Sequence, residues 1–185
     1  MTGAWWVWPL AGLVIVALIG LYLSMTAGRL DRLHRRIDTS RHALDTQLLR
    51  RSGLCLEIAS SSLFDPATAV VLADSAHAAR AAEEDDVIAR GLAESDLTRV
   101  LVEAIPDAQE AEELRREAPD PTMLDDLRGT CVRVQLSRRF HNDAVRACRQ
   151  VRQQRLVRWL RLAGRTPWPM TVEMDDTPPP GLTAR

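Results

Sequence analysis

The chain contains no lysine: all 24 of its basic residues are arginine. That excludes mechanisms built on a lysine amine, from Schiff-base catalysis to the phosphate-binding lysine of a nucleotide loop. Aromatic residues make up only 4% of the sequence. Three cysteines, Cys55, Cys131 and Cys148, occur without a C-x-x-C spacing, so neither a disulfide scaffold nor a zinc ribbon fits. No stretch alternates β-branched or aromatic residues with polar ones, and no Asn-Gly or Asp-Gly step marks a hairpin. A nucleophile elbow, an H-E-x-x-H pair and a Gly-rich phosphate loop are all missing. At 185 residues the chain has room for one domain and an appendage, but not for a barrel or a doubly wound enzyme domain.

Charge is missing altogether from residues 1–28. Ala4 to Ala27 spans 24 residues, of which 19 are apolar. As a helix this stretch covers roughly 36 Å at ~1.5 Å per residue, enough to cross a bilayer. Ala4, Trp5, Leu10, Leu23 and Ala27 mark the expected span, and Trp5, Trp6 and Trp8 form an aromatic belt at one end. No basic segment precedes the apolar run, which favours a retained anchor over a cleaved signal peptide. Arg29, Arg32, Arg35 and Arg36 follow at once. The expected topology is therefore a single-pass cell-membrane protein with its N-terminus outside and residues 29–185 in the cytoplasm. A reducing cytoplasm suits three free thiols that pack as small apolar groups.

The rest reads as helix, rich in Ala, Leu, Arg and Glu. The first helix is expected to continue from the span through Leu30, Leu33, Ile37, Leu44, Leu48, Leu54 and Ile58, and to end near Ser60–Phe64. Asp65-Pro66 provides a cap and first position for a second helix reaching about Arg90, with Val70, Val71, Ala73, Ala78 and Ala81 inward. Gly91 then interrupts it, and Ser95 or Asp96 caps a third helix that Pro106 breaks. Residues 107–118 read as polar nearly all round. Pro119-Asp120-Pro121 forces a turn. A last helix of near 42 residues, about Thr122 to Ala163, presents Leu124, Leu127, Cys131, Val134, Val145 and Cys148 as its seam. The expectation is an all-α chain: a transmembrane anchor (1–28), an antiparallel four-helix bundle with long first and last helices and coiled-coil-like stripes (29–165), and a Pro-rich disordered tail (166–185).

The overall charge of −1 conceals segregation. Residues 29–51 hold seven Arg and three Asp, net +4; residues 65–126 hold seventeen acids and five Arg, net −12; residues 128–165 hold eleven Arg and one Asp, net +10. Pairing of basic with acidic helices accounts for much of this. The end of the last helix adds Arg152, Arg155, Arg158, Arg161 and Trp159, a pattern suited to an anionic leaflet. Polar residues also fall on apolar stripes. Asp45, Gln47, Arg50 and Arg51 on the first helix are expected to meet Arg138, Asn142 and Asp143 on the last in a structural polar layer. Asp31/His34 and Asp74/His77 are D-x-x-H pairs that solvated side chains explain. A membrane-bound metal-dependent enzyme using Asp74 and His77 is the alternative reading. No catalytic residue, metal, cofactor or nucleic acid is expected; a protein partner is, of unknown identity.

The same residues carry a family resemblance. Asp45-Thr46-Gln47-Leu48-Leu49-Arg50-Arg51 resembles the D-x-Q-L-x-R-R motif of the LemA family, one helical stretch after an N-terminal span. Arg138-Arg139-Phe140-His141-Asn142-Asp143-Ala144-Val145 is similar to that family's R-R-F-Y-N-x-A-V, with His141 in place of Tyr, and Ile105-Pro106-Asp107 to its Y-P-x-L. After Arg51 the family's D-L-I-P-N-L-V is replaced by Ser52-Gly53-Leu54-Cys55-Leu56-Glu57-Ile58. The resemblance implies a membrane-anchored helical bundle facing the cytoplasm, in a family without established enzymatic activity. The expected function is a scaffold or an interaction module for protein and membrane at the inner leaflet.

Overall fold

A computed structural model describes residues 7–83, 86–159, 164 and 166–183. Among these residues the chain is helical and has no strand. The helices are α1 (Val7–Ser60), α2 (Pro66–Ala81), α3 (Val87–Ala104), α4 (Ala108–Glu117), α5 (Met123–Arg152), α6 (Arg155–Trp159) and α7 (Pro180–Thr183). They divide into two compact units, one of residues 1–38 with 144–169 and one of residues 39–143 with 170–185.

α1 runs unbroken for 54 residues, since no proline follows Pro9 until residue 66. Its N-terminal half is the one apolar stretch among the described residues long enough to serve as a membrane anchor or a signal sequence. Leu10, Leu13, Val14, Ile15 and Val16 on it are all exposed. The helix stops in a serine cluster. Ser60 and Ser61 hydroxyls donate to the carbonyls of Glu57 (2.8 Å) and Ile58 (2.7 Å), and Ser62 takes a left-handed φ of 61°.

Asp residues start the next three helices. Asp65 accepts from the backbone N–H of Ala67 and Thr68, with Pro66 opening α2 as expected. Asp86 accepts from Ile88 and Ala89, and Asp107 from Glu110. α3 therefore starts before Gly91, not after it, and α2 ends at Ala81 rather than near Arg90. The caps expected at Ser95 or Asp96 lie inside α3. Gly91 serves a different purpose: a Cβ there would overlap the carbonyl oxygen of Glu173, so glycine lets the C-terminal segment cross α3 closely.

The inward face of α2 is Leu72, Ala76 and Ala79, not the expected set; Val70 and Val71 are exposed. The face through Val70 carries Asp74 and His77 at helical spacing, and these must stay in water. α4, expected as polar all round, buries Ala111 and Leu114. α5 begins after Asp120 accepts from the Thr122 N–H. It buries the whole expected seam but ends at Arg152, eleven residues short of the expected Ala163, with α6 as a separate turn.

In the larger unit, the main core gathers Cys55 and Ile58 of α1, Leu72 and Ala76 of α2, Leu97 and Leu101 of α3, and Leu124, Leu127 and Cys131 of α5. Asp45 meets Arg90 and Arg51 meets Glu94, so α1 and α3 run the same way. Gln47 meets Arg133 and Ser40 meets His141, so α1 and α5 run oppositely. In the smaller unit, Leu30 of α1 clusters with Cys148 and Val151 of α5 and Val157 of α6, backed by Leu33 and Ile37.

Residues 170–183, expected to be disordered, form an extended strap on the larger unit. Val172 and Met174 pack on Leu44, Leu48 and Val134, and Leu182 enters the main core. Gly181 donates to the Ile105 carbonyl (3.2 Å). Its proline content suppresses regular structure without preventing burial. A Cβ at Gly181 would overlap the Asp107 carbonyl. Gly91→Ala and Gly181→Ala are each expected to destabilise the protein by ~1–3 kcal/mol. Gly53→Ala, with open space beside Arg80, should be neutral or slightly stabilising. Thermal unfolding of the full-length protein in detergent, followed by circular dichroism, checks the contrast.

Candidate functional site

Of the polar groups singled out in the sequence, Asp45, Arg51 and Asn142 are buried and Gln47 and Arg138 half-buried, and their bonds reach α3 and the C-terminal segment as well as α5. Arg51 is 1% exposed. Its guanidinium pairs with the Glu94 carboxylate and donates to the Glu94 carbonyl (3.1 Å) and the Thr98 hydroxyl (3.0 Å), all on α3. Burial pushes the Glu94 carboxyl above the usual carboxylate range, and the neighbouring Arg51 charge pulls it back. Asp45 pairs with Arg90 at 2.8 Å, one turn of α3 before Glu94. The Arg51 and Arg90 Nε–H groups and the Asp45 Oδ2 are buried without a hydrogen-bond partner.

Gln47 does reach α5, accepting from Arg133 Nε at 3.1 Å. Arg138 and Asn142 instead hold the strap. Arg138 donates twice to Asp176, at 2.6 and 2.9 Å. Asn142 brackets Val172, donating to its carbonyl and accepting from its N–H. Arg50 and Asp143 are exposed. Of the expected layer, Asp45 and Arg51 join α3, Gln47 bonds α5, and Arg138 and Asn142 hold the strap. Glu94, Arg90, Thr98 and Asp176 were not foreseen. Glu94 carried a signal: it lies on the Leu97, Leu101, Ile105 stripe, where an acid needs a partner. Asp176 carried none beyond its charge.

In the smaller unit, the arginines expected at the leaflet behave differently from one another. Arg152 is 8% exposed and does not face solvent. It donates to the carbonyls of Pro167 (2.7 Å) and Thr166 (2.8 Å), and its guanidinium lies 4.8 Å from the centre of the Trp168 ring. Arg149 donates to the Pro169 carbonyl at 2.8 Å. Arg155 and Arg158 are exposed, and Trp159 is 81% exposed. Arg161 lies outside the described residues, as do Ala4 and Trp5 of the expected span. Of the other span residues, Leu10 and Ala27 are exposed and Leu23 is half-buried.

Asp74 and His77 are exposed on α2. Among the described residues no three His, Cys, Asp or Glu side chains group as metal ligands. Glu103, Glu110, Glu113 and Glu117 border an open groove over Leu63 and Leu114. The cysteines are free and buried; burial pushes the Cys55 thiol up to about 12 and raises Cys131 and Cys148 as well. No protein-family model matches the chain, and comparison with curated proteins and with solved structures gives no match.

Glu94→Ala strands the Arg51 charge in the core and is expected to cost ~3–5 kcal/mol, whereas Arg51→Met with Glu94→Leu should recover most of that loss. Urea unfolding of the three proteins measures the difference. The buried thiols should resist an aromatic disulfide reagent at pH 8 until the chain unfolds. Because their folded pKa values are raised, the stability they contribute is complete below the ordinary thiol value of ~8.5 and is lost as pH climbs from there towards the folded value. Unfolding midpoints between pH 8 and 11 test that sign.

Proposed function

We propose that this chain is a single-pass, membrane-anchored helical interaction module. Its N-terminus lies outside and residues 29–185 lie in the cytoplasm, arranged as an antiparallel bundle around α1, α2, α3 and α5. The kinship that fits is a divergent LemA-type protein, on the strength of the Asp45–Arg51 and Arg138–Val145 motifs. The module is not an enzyme; it holds a protein partner at the inner leaflet.

One observation carries the membrane part of this reading. α6 is tied through Val157 to Leu30, two residues past the end of the uncharged run. Arg155, Arg158 and Trp159 stay exposed on that turn. With α1 spanning the bilayer, these side chains stand at headgroup height, where each arginine gains ~1 kcal/mol from an anionic surface and the indole sits at the polar–apolar boundary. Positive charge at Arg29, Arg32, Arg35 and Arg36 supports the cytoplasmic side. The motif residues support a scaffold: Arg51, Gln47, Arg138 and Asn142 hold helices and strap together.

Affinity purification of the full-length protein from its native membrane in mild detergent tests the proposal, with mass spectrometry and metal analysis of one sample. The expected result is a reproducible protein partner and no stoichiometric metal. Stoichiometric iron, manganese or zinc without a partner would overturn it.

A further inference from the structure

Resting on the reading of α1 as a membrane span, we infer that Trp168 is a second residue seated in the headgroup interface of the bilayer, and that Arg152 positions it there. Three features of the smaller unit support this. The first is height. Arg152 follows Val151, which clusters with Leu30 at the start of the charged part of α1. Trp168 lies on the Arg152 guanidinium, so it shares that level.

The second is the backbone. Residues 166–169 read Thr-Pro-Trp-Pro, so two of four positions have no N–H to leave unsatisfied. The carbonyls of Thr166 and Pro167 accept from Arg152, and that of Pro169 from Arg149. An extended segment normally cannot enter a water-poor layer, because its polar backbone groups lose their partners. Here three of its carbonyls are already satisfied by side chains of α5. The third feature is the indole itself. One face is covered by a cation, yet Trp168 keeps 48% of its surface exposed. A half-covered tryptophan at the boundary of an apolar span matches the interfacial preference of that side chain.

Arg152 is thereby a positioning residue and not a lipid ligand. Its donors are directed at its own chain, and its face at the ring. Trp159 on α6 and Trp168 on the clamped segment then give two aromatic contacts with the leaflet besides the span.

The test uses the full-length chain in nanodiscs of phosphatidylcholine and phosphatidylserine, with and without lipid brominated near the headgroup end of its chains. Bromine quenches tryptophan emission only at close range. Wild type, Trp168→Phe, Arg152→Met and Trp159→Phe/Trp168→Phe are compared, with circular dichroism to show that each remains helical. Of the five tryptophans, the double variant keeps only Trp5, Trp6 and Trp8. The expected result is that Trp168→Phe removes on the order of one fifth of the quenchable signal, and that Arg152→Met lowers quenching to a similar extent. A quenchable signal unchanged by Trp168→Phe would overturn the inference, whatever Arg152→Met does. A double variant that brominated lipid does not quench would instead show that α1 lies outside the bilayer, and would overturn the membrane-span reading itself.

Discussion

Arg51 is a full positive charge with almost none of its surface in water, and the larger unit is organised around satisfying it. An unpaired charge at such a depth costs more than most single interactions supply. Glu94 provides the opposite charge, and the Glu94 carbonyl and Thr98 hydroxyl take further N–H groups. These partners sit on successive turns of α3, so Arg51 fixes how far α3 can slide along α1. Asp45 and Arg90 repeat the pairing one to two turns away. The effect continues outward: Thr98 also donates to the Asp175 carbonyl, and Ser95 accepts from the Asp175 N–H. A register chosen by one buried guanidinium thus reaches the C-terminal strap.

The two units solve a common problem in a common way. Residues 166–183 contain prolines at 167, 169, 178, 179 and 180, and apart from the single turn of α7 they build neither a helix nor a ladder of their own. Their backbone groups still need partners wherever they leave water. α5 supplies those partners from its side chains. Asn142 brackets Val172 in the larger unit, and Arg149 and Arg152 take the carbonyls of residues 166, 167 and 169 in the smaller one. Long polar side chains on a rigid helix stand in for a neighbouring strand. The strap covers Leu44, Leu48 and Val134 in return.

Local chemistry was legible in the sequence. The end of α1 among serines, the Asp65-Pro66 start, the break at Pro106 and the seam of α5 all depend on residues within a turn of one another. The misread elements depend on distant ones. Gly91 resembles a helix breaker until Glu173 is seen against it. Val70 and Val71 look like core until Asp74 and His77 are recognised as sharing the face of Val70. The strap reads as a disordered tail because proline content reports on secondary structure and says little about burial. Among the site residues, an arginine on an apolar stripe reads as a group that needs a partner. Its partner could not be named, because Glu94, Asp176 and the Val172 backbone come from elements whose placement is a tertiary outcome.

The strap also imposes an order of events during synthesis. At ~5–20 residues per second the chain takes roughly 10–40 s to make. Residues 172–182 leave the ribosome after every helix they cover. Until then Leu44, Leu48 and Val134 lack their cover, and the Leu182 site beside Ile105 stands open. The apolar N-terminal half of α1, by contrast, emerges before every other helix described. A nascent chain stalled anywhere before residue 182 would display apolar surface of the kind that chaperones and proteases recognise.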